Sequence, residues 1–283
     1  MHIDVNGTRL WFDVDGAALV PDGATMRQRP TVIVVHGGPG SYDHSYFKPH
    51  VTPLTAVAQV VYLDLREHGR SRRQDPDAWT FEACADDIDT FCEVLGIDRP
   101  IVLGHSMGGF IAMHLGIRHP DRAAGLVLIA TMARFDLERL VDGVRRMAGD
   151  DVAELARRDY SGDVVSDAEW ARVFAAFGPT VPDEAALARR RRNPSVGPPG
   201  MDRMRDLDLL GGLPGITAPT LVVVGDQDPI TPVASAEEIL SGLAQGIGRL
   251  EVIEGAGHFI WLDRPDRLWP VVAAFVTLVS AAT

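Results

Sequence analysis

Short runs of consecutive apolar residues recur along the chain, separated by stretches whose apolar positions return every three or four residues. Thr31–Val35 consists of β-branched residues alone, the pattern of a strand buried on both faces. Similar runs fall at 59–63, 100–103, 126–130, 220–224 and 250–253. Helical spacing fills most of the gaps, at 81–95, 106–118, 234–243 and 266–279. Ahead of them, residues 2–5 and 9–15 flank the turn dipeptide Asn6-Gly7 and predict a hairpin. Pro21, Gly23 and Pro30 then mark a loop. Strands alternating with helices predict a mostly parallel α/β sheet with helices on both faces.

The alternation fails between 131 and 217, where helix-like segments at 136–147 and 167–177 appear without a strand between them. An insertion of that length is rarely an idle loop. The expected organisation is a core of 1–130 and 218–283 with a helical cap of 131–217 over the sheet ends. Residues 193–200 (NPSVGPPG) break the cap and are expected to act as a hinge.

Composition narrows the possibilities. The chain has 283 residues, 46% hydrophobic and 23% charged, as a folded globular protein requires. Its 27 basic residues face 39 acidic ones, a net charge of −12 with no basic stripe. That argues against nucleic acid and against anionic membrane surfaces as partners. The N-terminus lacks a charged segment followed by an apolar one, and Pro270, Thr277 and Ser280 interrupt the most apolar stretch. Cys84 and Cys92 lie eight apart on an expected helix, so about 12 Å separates them, too far for a disulfide. A cytoplasmic protein acting on a small-molecule substrate is the expectation.

The sharpest chemical signal is Gly104-His105-Ser106-Met107-Gly108-Gly109, placed between an expected strand and an expected helix. In that context G-x-S-x-G is a nucleophile elbow, whose small residues permit a tight crossing and leave the serine hydroxyl exposed. A glycine-rich turn with an incidental serine is the bland alternative, and the strand–turn–helix setting weighs against it. His36-Gly37-Gly38-Pro39-Gly40 follows another strand. The amides of Gly38 and Met107 would form an oxyanion hole, typically worth about 3–4 kcal/mol per donor. A serine needs a base, and the base needs an orienting acid. His105 is expected to point away and His114 lies too far along the helix, whereas His258 follows a strand directly. Asp228 and Asp226 both follow the preceding strand; Asp228 is favoured because it lies further beyond it, and Asp226 would stabilise the turn. The chain order is then Ser106, Asp228, His258.

With these motifs the sequence resembles the α/β-hydrolase family along nearly its whole length. Residues 64–71 (DLREHGRS) look like the family's D-x-R-G-x-G-x-S loop, departing at Glu67, where glycine is usual. The resemblance implies the α/β-hydrolase fold, an eight-stranded sheet with the cap inserted after the sixth strand. It also implies Ser106, His258 and Asp228 as the catalytic triad of a serine hydrolase working through an acyl-enzyme.

The HGGPG form resembles proline iminopeptidases, which release an N-terminal proline and hold its amino group with cap carboxylates. Glu138, Asp142, Glu154 and Asp159 are the cap acids available for that role. The elbow departs from those enzymes, having Met107 where tryptophan or tyrosine is usual, a form common among esterases. A proline iminopeptidase-like aminopeptidase is therefore the favoured reading, with a small-molecule carboxylesterase or lactonase next and a non-catalytic ligand binder as the alternative of another class. No cofactor and no metal are implied, since the sequence has neither a Cys/His cluster at metal spacing nor a dinucleotide fingerprint. Trp170, Phe174 and Phe177 share a helical face, and Phe259 and Trp261 adjoin His258. Each is a candidate either for substrate lining or for packing. The arginines 189–192 are either a carboxylate clamp or a solvated helix end.

Overall fold

The computed structural model describes residues 1–282. Its strands are β1 (His2–Val5), β2 (Thr8–Asp15), β3 (Leu19–Asp22), β4 (Thr25–Gln28), β5 (Thr31–Val35), β6 (Gln59–Asp64), β7 (Ile101–His105), β8 (Gly125–Ile129), β9 (Thr220–Gly225) and β10 (Gly248–Ile253). Eight of them form one sheet in the order β1-β2-β6-β5-β7-β8-β9-β10. β5 to β10 run parallel, and β1 and β2 add an antiparallel edge. The apolar runs become the central strands because both faces are covered; β7, β8 and β9 are buried along their whole length.

Parallel pairing has a geometric consequence. Val35, His105, Ile129, Gly225 and Ile253 end their strands at the same edge of the sheet. The loops that follow them therefore gather there, however far apart they lie in sequence.

One expected loop is a strand pair. β3 and β4 form a small hairpin with Pro21 opposite Met26. Nearly every residue in it is exposed, so no inward-facing apolar alternation announced it.

The helix Phe81–Leu95 shows why its ends were legible. Thr80 Oγ1 accepts the Ala83 N–H at 3.0 Å, and Gly96 closes the other end in a left-handed conformation. Cys84 and Cys92 point into the core and are not bridged. Burial pushes both thiols up, Cys92 to about 12.

Between β8 and β9 come the helices Leu137–Ala148, Asp150–Ser161, Asp167–Ala175, Glu184–Arg189 and Gly197–Arg205. Asp136 caps the first, and Ser166 with Glu169 forms a capping box on the third. Backbone bonds from Phe135 to Leu207 and from Leu209 to Ala133 close the neck of this insert. The segment 193–200, expected as a hinge, is anchored at its first residue. Asn193 is buried, its backbone N–H donates to Gly40 O and its side-chain amide to Glu67 O, both at 2.8 Å. The glycine and prolines that signalled a break begin the helix Gly197–Arg205 instead. No helix among the described residues is long and apolar enough to cross a membrane.

Candidate active site

Ser106 occupies the crossing between β7 and the helix Met107–Arg118, with φ +52° and ψ −119°. Such a conformation in a non-glycine residue costs about 1–3 kcal/mol and persists where surrounding structure enforces it. Here the enforcement is visible. The Ser106 N–H donates to Ile129 O, and its carbonyl accepts from Gly109 N and Thr131 Oγ1. A Cβ on Gly104 would collide with the Gly108 carbonyl, and one on Gly108 with the Val35 carbonyl. Ser106 Oγ makes no hydrogen bond among the described residues, which leaves it free to approach a carbonyl.

His258 sits in the loop after β10, buried, with its backbone N–H held by Phe177 O at 2.8 Å. Its Nδ1–H donates to Asp228 Oδ2 at 2.9 Å. Asp228 also accepts from the amides of Ile230 and Thr231 and from Thr231 Oγ1. Burial works against ionisation of Asp228, but the His258 interaction and these hydrogen bonds outweigh it and hold the carboxyl below the usual range. Asp226 is exposed and caps the neighbouring loop by accepting the Gly255 N–H at 2.8 Å. Ser106 and His258 line one cavity of about 280 Å³ at the strand ends.

Gly38 lines the same cavity, and the amides of Gly38 and Met107 have no acceptor among the described residues. The amides on either side of Gly38 are tied. Gly37 N–H donates to Tyr46 Oη at 3.0 Å, and Gly40 N–H donates to His68 Nε2 at 2.9 Å. Burial, and then the neighbouring His36, push His68 down to about 3, so its ring stays neutral and keeps an acceptor nitrogen. His105, expected to point away, lies among the cavity's lining residues and has a structural task. Tyr46 Oη bonds its Nδ1 at 2.8 Å, and its Nε2 meets His258 O at 3.1 Å. Burial depresses His105 well below the usual histidine range. A neutral tautomer with Nε2–H satisfies every partner in this chain.

Sequence reasoning missed Tyr46, His68 and Thr231: His68 lies within the 64–71 loop at a position its motif leaves open, and Tyr46 and Thr231 are single polar residues outside any motif. Tyr46→Phe should cost about 1–3 kcal/mol, since it strands the buried Gly37 N–H and His105 Nδ1 together. Urea unfolding should show a lowered midpoint at unchanged slope.

Glu67 departs from the usual glycine and carries φ +63°, which explains the preference for glycine there. Its Oε1 accepts the amides of Gln74 and Asp75. One group of acid and histidine side chains lies within metal-ligating reach among the described residues: Asp43, His44 and Asp64. Their atoms are already engaged. Asp64 accepts from His44 and from the Arg70 amide, and Asp43 accepts from Ser45 and the Arg191 amide.

The aromatic candidates divide. Trp170, Phe177 and Phe259 line the cavity, and Phe177 stands edge-on to the His258 ring at 5.6 Å. Phe174 packs on Phe259 and lines an adjacent cavity. Trp261 lies in the core against Phe47.

The four candidate acids of the helical insert divide more sharply. Glu138 and Glu154 reach Arg157, and Asp142 pairs with Arg145, all three acids being exposed. Asp159 lines the cavity with no partner for its carboxylate among the described residues. Burial raises it above the usual carboxylate range.

The family model for the alpha/beta hydrolase fold matches residues 30–265, and the chain belongs to that family. Among curated relatives, a proline iminopeptidase, PfmaB of Pestalotiopsis fici, is 28% identical, covering 93% of this chain and 94% of its own. A putative carbamate hydrolase, RutD of Caulobacter sp., is 27% identical, covering 93% and 97%. The crystal structure of a proline iminopeptidase from Mycobacterium smegmatis superposes with a TM-score of 0.77 at 21% identity, covering 100% and 99%. The chain is therefore a hydrolase-family member with the fold of these enzymes.

Proposed function

We propose that this protein is a serine hydrolase that removes an N-terminal residue from a small amide substrate, in the manner of a proline iminopeptidase. Asp159 carries the reading: an unpaired carboxylate on the wall of a cavity that also holds Ser106 and His258. A carboxylate without a partner suits an α-ammonium group and is wasted on a neutral ester. The HGGPG loop and the relative named proline iminopeptidase support the same choice.

Ser106 Oγ attacks the scissile carbonyl as His258 Nε2 takes its proton. Asp228 keeps the imidazole in the required tautomer and stabilises the imidazolium. The oxyanion is met by the Gly38 and Met107 amides, which need no reorganisation because Tyr46 and His68 fix the loop around Gly38. His258 then returns the proton to the leaving amine. Water, activated by the same ring, releases the acyl group. Residues 131–217 act as the cap, supplying Asp159 and the aromatic wall.

The test compares proline p-nitroanilide, its N-acetylated form, p-nitrophenyl esters and lactones. Free-amine amides should be cleaved best, with acetylation costing at least about 100-fold in kcat/KM. Asp159→Asn should raise KM for the amine substrate about 10- to 100-fold, matching the loss of a charged hydrogen bond. The amine needs the ionised carboxylate. KM should therefore climb as pH falls through the raised Asp159 pKa, and the Asn variant should lose that limb. Esters or lactones turned over well, with amides untouched, would overturn the aminopeptidase reading. One observation favours that second reading: Met132, Met201 and Met204 give the cavity an adaptable apolar wall suited to an acyl chain.

A further inference from the structure

The run of arginines 189–192 is parted by the fold. The Arg191 amide donates to Asp43, and its carbonyl accepts from Arg73. Arg189 is exposed and lines neither cavity. Arg190, half-buried, and Arg192, exposed, both line a cavity. Arg192 borders both the Ser106 cavity and a second one of about 260 Å³, which share Ser41, Tyr42 and Trp170 as well. Arg190 lines the second cavity, half-buried, with its guanidinium 4.8 Å over the Tyr42 ring and Nε donating to Leu187 O. Neither guanidinium has a carboxylate within 4.0 Å among the described residues. The acid on that cavity's wall is Asp167, exposed at the start of its helix. Burial draws the Arg190 pKa down, so the fold holds a cation where it is disfavoured.

Asp159 lines the first cavity only, Arg192 borders both, and Arg190 shares the second with the exposed Asp167. If the substrate's α-ammonium sits at Asp159, it lies on the acyl side of the scissile bond. The remaining space, past Arg192, belongs to the leaving group. A planar guanidinium fork there matches a carboxylate.

We infer that the second cavity is a leaving-group subsite in which Arg192, with Arg190 behind it, binds the free α-carboxylate of a dipeptide. The inference rests on the aminopeptidase reading and narrows it: the enzyme takes short zwitterionic peptides in preference to longer or C-terminally blocked ones.

The experiment measures kcat/KM for prolyl-alanine and prolyl-alaninamide, with proline p-nitroanilide alongside. The free acid should be favoured at least about tenfold, through KM, and raising the salt concentration should shrink that preference. Arg192→Gln should bring the acid-to-amide ratio toward one, and Arg192→Lys should restore part of it. Equal turnover of acid and amide by the wild type, or a ratio unmoved in Arg192→Gln, would overturn the subsite and leave the aminopeptidase reading standing. The salt dependence in the wild type needs no variant to fold. Failure of all three amides would instead remove the reading beneath it.

Discussion

Ser106→Ala should lower kcat by about four to six orders of magnitude while changing stability by less than about 0.5 kcal/mol. The two halves of that expectation have separate causes. The loss of rate would follow from removing the proposed nucleophile, leaving the Gly38 and Met107 amides and positioning alone. The small stability effect follows from Ser106 Oγ making no hydrogen bond among the described residues. Alanine also inherits the same positive φ without adding to it. Single-turnover kinetics and thermal unfolding of both proteins would check the pair of statements. Near-full activity in the variant would move the nucleophile elsewhere. Full binding with no turnover in both proteins would favour a ligand-binding role for the fold.

Asp228→Asn should reduce kcat by about four orders of magnitude, whereas Asp226→Asn should change it by less than about threefold. The asymmetry comes from hydrogen-bond direction. Asp228 Oδ1 accepts two amides, those of Ile230 and Thr231. An asparagine must keep its oxygen there, which turns its NH₂ toward His258 Nδ1. That nitrogen must then accept, so the ring proton moves to Nε2, where it blocks abstraction from Ser106. Asp226 accepts a single exposed amide, a bond that asparagine's oxygen can also make. The larger loss falling on Asp226 would reverse the assignment. Asp228 also ties stability to pH. Its folded pKa lies below the unfolded value, so its contribution is complete above the unfolded pKa and is lost as pH falls through the folded one. Acid unfolding of Asp228→Asn should lack that component.

The elements most legible in the sequence are those whose burial is total. β5, β7, β8 and β9 announce themselves because a strand covered on both faces has no polar position to dilute the signal. The hairpin of β3 and β4 lay hidden for the opposite reason, being exposed on nearly every residue. In the segment 193–200, glycine and proline report a change of chain direction but say nothing of what holds it. Asn193 is held by Glu67, 126 residues away in sequence.

The parallel sheet, the helical insert and the places of Ser106, Asp228 and His258 just beyond strand ends could all be read from the chain itself. Those features follow from local periodicity and from motifs a few residues long. Only packing showed that Asp228 meets the histidine, that Asp159 of the four acids of the insert faces the cavity, and that Arg192 of the four arginines borders it, with Arg190 in the adjoining one. It also decided that Tyr46 and His105 connect the Gly37 loop to the His258 loop. Each of those choices depends on where a side chain points once distant segments have packed, and chain spacing carries no record of that direction.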